Sequence, residues 1–103
     1  MIKIEKADTF FKRLRGLIGR KNLPPNHGLF IAPCNSIHMM FMQFAIDAVF
    51  IDKNFVIKKI ARNLKPWTGF SICLGAWAVV EFSAGESARL NLKVGQTLNA
   101  EII

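Results

Sequence analysis

Between His38 and Asp52 the chain reads His-Met-Met-Phe-Met-Gln-Phe-Ala-Ile-Asp-Ala-Val-Phe-Ile-Asp, and only His38, Gln43, Asp47 and Asp52 interrupt the apolar run. A bilayer span takes ~20 apolar residues in a row, so a run this short and this often broken does not make one. Burial inside a protein core is the alternative. The run divides into two expected strands, residues 37–42 and 44–51, apolar on both faces and therefore covered on both sides. Asp47 falls in the middle of the second strand. Burying an unpaired carboxylate costs several kcal/mol, so Asp47 needs a partner or a place beside a cavity.

With 103 residues the chain makes one domain, residues 1–103. That length supports a single core and burial of roughly two-thirds of the unfolded chain's surface. A hydrophobic content of 51% argues against disorder. Fourteen Lys and Arg against seven Asp and Glu leave a formal net charge of +7. That excess permits an acidic partner (nucleic acid, an anionic membrane face or an acidic protein) without selecting one. The opening Met1-Ile-Lys-Ile-Glu-Lys has no apolar signal region and no small-residue cleavage site, so a cytoplasmic setting is the expectation. Cys34 and Cys73 stand outside any Cys-x-x-Cys or His-x-x-x-His spacing. No metal site and no cofactor are expected, and the two cysteines read as buried, reduced thiols.

Residues 1–5 alternate weakly and predict a first strand. Asp8-Thr9 offers an N-cap, and Phe10, Phe11, Leu14, Leu17 and Ile18 follow at helical spacing. A short helix over 9–18, closed by Gly19, is predicted, with basic residues suited to its C-terminal dipole. Pro24-Pro25 marks a loop that carries His27. Residues 28–32 predict a strand, and Pro33-Cys34-Asn35-Ser36 a turn into the central run. Lys53-Asn54 signals a hairpin from 45–51 into 55–61. Residues 63–75, with Pro66, Gly69 and Gly75, read as one long loop. Loops of that length are often functional, and the plainer expectation is that Trp67 and Phe70 fold back as a lid on the core. Residues 77–82 predict a strand with Trp77, Val79 and Glu81 on one face. Ala88, Leu90 and Leu92 alternate with Arg89, Asn91 and Lys93 and predict another. A last strand is predicted over 97–103. Short strands at regular turn spacing plus one helix make the fold class mainly β: a compact jelly-roll-like β-sandwich or barrel with one short N-terminal helix.

Several ordered blocks carry a family resemblance. Arg15-Gly16-Leu17-Ile18-Gly19-Arg20, Gly28-Leu29-Phe30, His38-Met39, Ile46-Asp47, Phe50-Ile51-Asp52, Val80-Glu81-Phe82 with Gly85, and Val94-Gly95 together resemble the DUF192 family. The likeness runs from about residue 13 to residue 98. It implies a β-rich barrel with a short helix and implies no known activity. Chains of this apolar type also look like ones that accompany bacterial secretion or pilus genes. His38 stands where the family usually has Trp, Phe41-Met42 where it has Asn-Thr, and Ala45 where it has Pro. Those family residues are the natural candidates for a shared site, and this chain lacks them.

The polar constellation is Arg15, His38, Asp47 and Glu81. Two acids in apolar strands need explaining, and Arg15 or His38 could pair them, either to fix barrel closure or to build a binding pocket. A carboxylate capping loop N–H groups is the other structural solution for Asp47. Strict alternation puts His38 and Asp47 on opposite faces unless residues 43–45 turn or bulge. The chain has no nucleophile elbow, phosphate loop or dinucleotide fingerprint. Cys34 and His38, four residues apart, are a weak nucleophile–base pair, since such pairs come from separate elements. Met39, Met40 and Met42 suit core filling first and a soft protein-binding or copper(I) surface second. The leading reading is therefore a non-enzymatic accessory or binding module, with a protein partner or a small ligand. A basic nucleic-acid-binding domain comes next, and a small enzyme using Asp47 or Glu81 comes third.

Overall fold

The computed structural model describes residues 1–6, 23–40 and 42–103. Among these residues the elements follow as β1 (Ile2–Lys6), β2 (His27–Ile31), β3 (Ser36–His38), β4 (Ile46–Ile51), β5 (Ile57–Leu64), β6 (Phe70–Ile72), β7 (Ala78–Ser83), α1 (Glu86–Arg89) and β8 (Ala100–Ile102). One sheet has the order β5-β4-β7-β2-β1-β8, and β3 and β6 form a separate two-stranded ribbon. β4 lies antiparallel between β5 and β7, whereas β1 runs parallel to both β2 and β8.

Every residue of β4 is buried, which follows from its unbroken apolar pattern. Alternation sends Ile46, Ala48 and Phe50 to one face and Asp47, Val49 and Ile51 to the other. The first face packs with Leu29, Ile31 and Val79 against Leu23, Met39 and Met42. The second packs with Ile4, Phe30, Val80 and Phe82 against Leu92 and Leu98. Two cores thus sandwich one sheet. Gly28 permits the close packing of the second core, because a Cβ there would lie 2.6 Å from Val80 Cγ1.

The fold is mainly β with a short helix. Among the described residues the expected barrel closure is not made: β5 and β8 are the two edges of the six-stranded sheet. An isolated bridge, Val56 to Thr97, joins the segments that lead into β5 and β8. It is reinforced where Leu98 N donates to Phe55 O at 2.7 Å and Ile57 N to Gln96 O at 2.8 Å. The sheet therefore curls without a closing ladder.

The structure differs from the sequence pattern in three places. The strand expected over 37–42 stops at His38, because Met42 N turns back to Met39 O at 3.1 Å. Met39 and Met42 are then buried in the core, as expected, while Met40 is exposed. Residues 63–75 are not one long loop: β5 continues to Leu64, and Phe70–Ile72 pairs with β3. The strand expected over 88–93 is replaced by α1 and a turn, in which Leu92 N donates to Ser87 O at 2.9 Å. The helix expected over 9–18, and with it Arg15, lies outside the described residues.

Candidate functional site

Asp47 sits opposite an irregularity in the sheet. Ile46 pairs with Leu64 and Ala48 with Ala61, so Arg62 and Asn63 together oppose the one residue Asp47. This is a β-bulge. Asn63 takes a left-handed φ of 54° there, and its N–H donates to Asp47 Oδ1 at 2.9 Å. Asp47 Oδ2 accepts from Gly85 N at 3.1 Å, Ser87 N at 3.0 Å and Ser87 Oγ at 2.7 Å. A buried carboxylate thus takes four donors from a bulge and a helix start, and charge-assisted bonds of this kind are among the stronger ones. Gly85 supplies the φ of 95° that lets its N–H point there. The Asp47 clamp also accounts for the helix in place of a strand, because it satisfies N–H groups that the first turn leaves without partners.

Arg62 Nε donates to Ser87 Oγ at 3.0 Å, and its Nη2 to Leu92 O at 3.3 Å. Arg62 and Ser87 therefore complete the network around Asp47, and neither stands out in the sequence. A bulge that carries Arg62 beside the acid depends on strand register, which no local pattern reveals.

Glu81 lies on the other side of the same sheet. β7 pairs it with Ala48 and Leu29, whereas Asp47 pairs with Phe82. Both acids are buried, yet the sheet separates their side chains. No ion pair among the described residues offsets the burial of Glu81, and desolvation pushes its carboxyl up to about 8. It is therefore protonated at neutral pH. His38 is exposed on the ribbon, opposite Phe70. So His38, Asp47 and Glu81 occupy three different surfaces and do not converge. The Cys34 thiol donates to Ser36 O at 3.0 Å, and both Cys34 and Cys73 are half-buried rather than fully buried. Among the described residues no group of three or more His, Cys, Asp or Glu is placed to hold a metal ion.

Asp52 has a structural part as well. Its Oδ1 accepts from Asn54 N at 2.8 Å and Val56 N at 3.0 Å, closing the hairpin between β4 and β5. These hydrogen bonds, led by Val56, hold its carboxyl below the usual range.

The ribbon presents the unusual surface. On β6, Phe70 and Ile72 point outward and Ser71 inward, and Leu74, in the turn that follows, is exposed as well. Exposure is 62% at Phe70, 78% at Leu74 and 57% at Trp67, and Ile72 and Met40 are exposed too. Trp67 and Phe70 therefore do not fold back as a lid on the core. Trp67 is held at the ribbon's end by its N–H to Met39 O at 2.8 Å. Lys59 lies beside the ribbon, its Nζ donating to Ile72 O at 2.9 Å. No helix of the described residues is long and apolar enough to cross a membrane.

Comparison with known proteins places the chain. It is 35% identical to a UPF0127 protein of Thermococcus sibiricus over 97% of this chain and 67% of that protein. It is 32% identical to one of Thermococcus kodakarensis over 94% of this chain and 64% of that protein. The chain thus spans about two-thirds of the length of these archaeal relatives. A solved structure of a protein of unknown function from Novosphingobium aromaticivorans superposes with a TM-score of 0.80 at 26% identity, covering 89% of this chain and 70% of that one. A second, from Sinorhizobium meliloti, gives 0.85 at 24% identity over 93% of this chain and 79% of that one, and shows the fold alone. The model of the family DUF192, described as "Uncharacterized ACR", matches residues 1–100, and the chain belongs to that family.

Proposed function

We propose that this domain is a non-enzymatic binding module whose working surface is the outer face of the β3–β6 ribbon. One observation carries the reading. Phe70 and Ile72 on β6 and Leu74 in the turn after it are all exposed and apolar at every second position, with Met40 and Trp67 also exposed on the segments that bound the ribbon. Contiguous exposed apolar surface on a small domain marks an interaction site. The acids offer no competing chemistry: the Asp47 carboxylate is spent on four structural hydrogen bonds, and Glu81 is enclosed between Leu29 and Ala48.

The test sets the ribbon against the acids. Wild type, Phe70→Ser/Ile72→Ser and Glu81→Gln are offered a panel of phosphoester, ester and peptide substrates, and separately a panel of anionic vesicles, single-stranded oligonucleotide and acidic polypeptide. Binding to one of the macromolecules, lost in the ribbon variant and kept in Glu81→Gln, is the expected result. Turnover of any substrate that survives the ribbon change and disappears in folded Glu81→Gln would establish an enzyme instead.

A further inference from the structure

We propose that the ribbon's outer face docks on an anionic phospholipid surface, peripherally and without spanning it. The inference rests on the binding-module reading and names its partner. The first argument is charge. Residues 53–80 contain no Asp or Glu, and residues 9–46 also contain no acid. Of the cations in 53–80, Arg62 turns to the Asp47 network and Lys58 to Asp52, while Lys59 and Lys65 lie beside the ribbon. Both strands of the ribbon and its adjoining turns fall within these acid-free runs. Of the six described carboxylates outside them, Asp47 is engaged on the bulge, Asp52 on the hairpin turn beside Lys58 and Glu86 on Arg89, Glu81 is buried, and Glu5 and Glu101 lie on strands β1 and β8. Lys59 reaches the ribbon's own backbone, and Lys65 is exposed at its entry, where its carbonyl accepts from Gly69 N at 2.9 Å. The apolar face is therefore bordered by cations, with no acid on its strands or turns to repel a negative surface.

The second argument is the chemistry of the face. Of the five exposed apolar side chains, Phe70 and Trp67 offer a π-face on which a base of a single-stranded nucleic acid could stack, while Ile72, Leu74 and Met40 offer only apolar surface, which suits an acyl boundary. Apolar side chains and an exposed Trp, with Lys59 at the Ile72 carbonyl and Lys65 exposed at the ribbon's entry, make the composition of an interfacial anchor. The apolar face gains by entering the acyl boundary, and each lysine gains near anionic headgroups.

The experiment uses the whole chain with vesicles of phosphatidylglycerol mixed with phosphatidylcholine, against vesicles of phosphatidylcholine alone, read by co-sedimentation and by the emission of Trp67. Trp67→Phe assigns the signal against Trp77. Binding to the anionic vesicles is expected, weakened by salt. It should fall about tenfold or more in Phe70→Ser and in Leu74→Ser, each of which removes one apolar anchor. It should fall roughly fivefold for each of Lys59→Gln and Lys65→Gln. These positions are exposed or at the surface, so thermal unfolding checks that the variants stay folded. Equal binding to both vesicle types, or undiminished binding by the ribbon variants, overturns the proposal. No vesicle binding, with oligonucleotide or acidic polypeptide bound through the same ribbon residues, overturns the lipid partner and leaves the binding module standing. No binding to any member of the panel removes both.

Discussion

Replacing Glu81 by Gln should change how stability depends on pH, and the size of the change follows from the buried carboxyl. Its ordinary value is 4.5, and burial raises it to about 8 in the folded chain. Below the ordinary value the carboxyl is protonated in both states and carries no penalty. As pH rises through this window the unfolded chain gives up the proton while the folded chain holds it, so stability falls. The slope is about 1.4 kcal/mol per pH unit. Across the whole window the loss is roughly 5 kcal/mol, and above the folded value it levels off. Gln keeps the shape and cannot ionise, so this contribution vanishes in the variant. Other titrating groups are common to both proteins and cancel in the difference. Urea unfolding of the two proteins should show that difference shifting in favour of the variant by roughly 3 kcal/mol between about pH 5 and about pH 7. A difference that stays constant over that range would refute the reasoning, because Glu81 would then be ionised in the fold or open to water.

Asp47→Asn should cost roughly 3–5 kcal/mol, because an amide N–H₂ would face N–H donors that now bond to a carboxylate. Denaturant midpoints measure it, and a loss under about 1 kcal/mol would mean that the clamp on Gly85 and Ser87 is not formed. Gly85→Ala should cost about 1–2 kcal/mol, since its φ of 95° strains any L side chain; thermal unfolding checks it, and an unchanged midpoint argues for a different turn. Gly28→Ala places a methyl 2.6 Å from Val80 Cγ1 and should destabilise by about 1–3 kcal/mol through overpacking. Exposed Phe70→Ser should stay within about 0.5 kcal/mol of wild type, whereas fully buried Phe50→Ala should lose about 3–5 kcal/mol. Similar losses for the two would show that the ribbon face is packed rather than open.

The local pattern determined more of the scaffold than of the site. The double-sided apolar run of β4, the Lys53-Asn54 hairpin and the alternation of β7 are all legible, because a strand buried on both faces leaves an unbroken hydrophobic signal. The same alternation shows Glu81 on the face of Val79 and away from Phe82. Three features were decided only in three dimensions. Register set Ala48 against Glu81 and Asp47 against Phe82, so that one sheet separates two acids that look alike in the sequence. The bulge at Arg62-Asn63 and the left-handed Gly85 delivered four donors to Asp47, turning the expected 88–93 strand into a helix start. Most informative is the ribbon, where Phe70 and Ile72 keep the period of a strand but face outward. Periodicity reports which residues share a face. Which face is covered depends on what the rest of the chain packs against it, and that is a tertiary property.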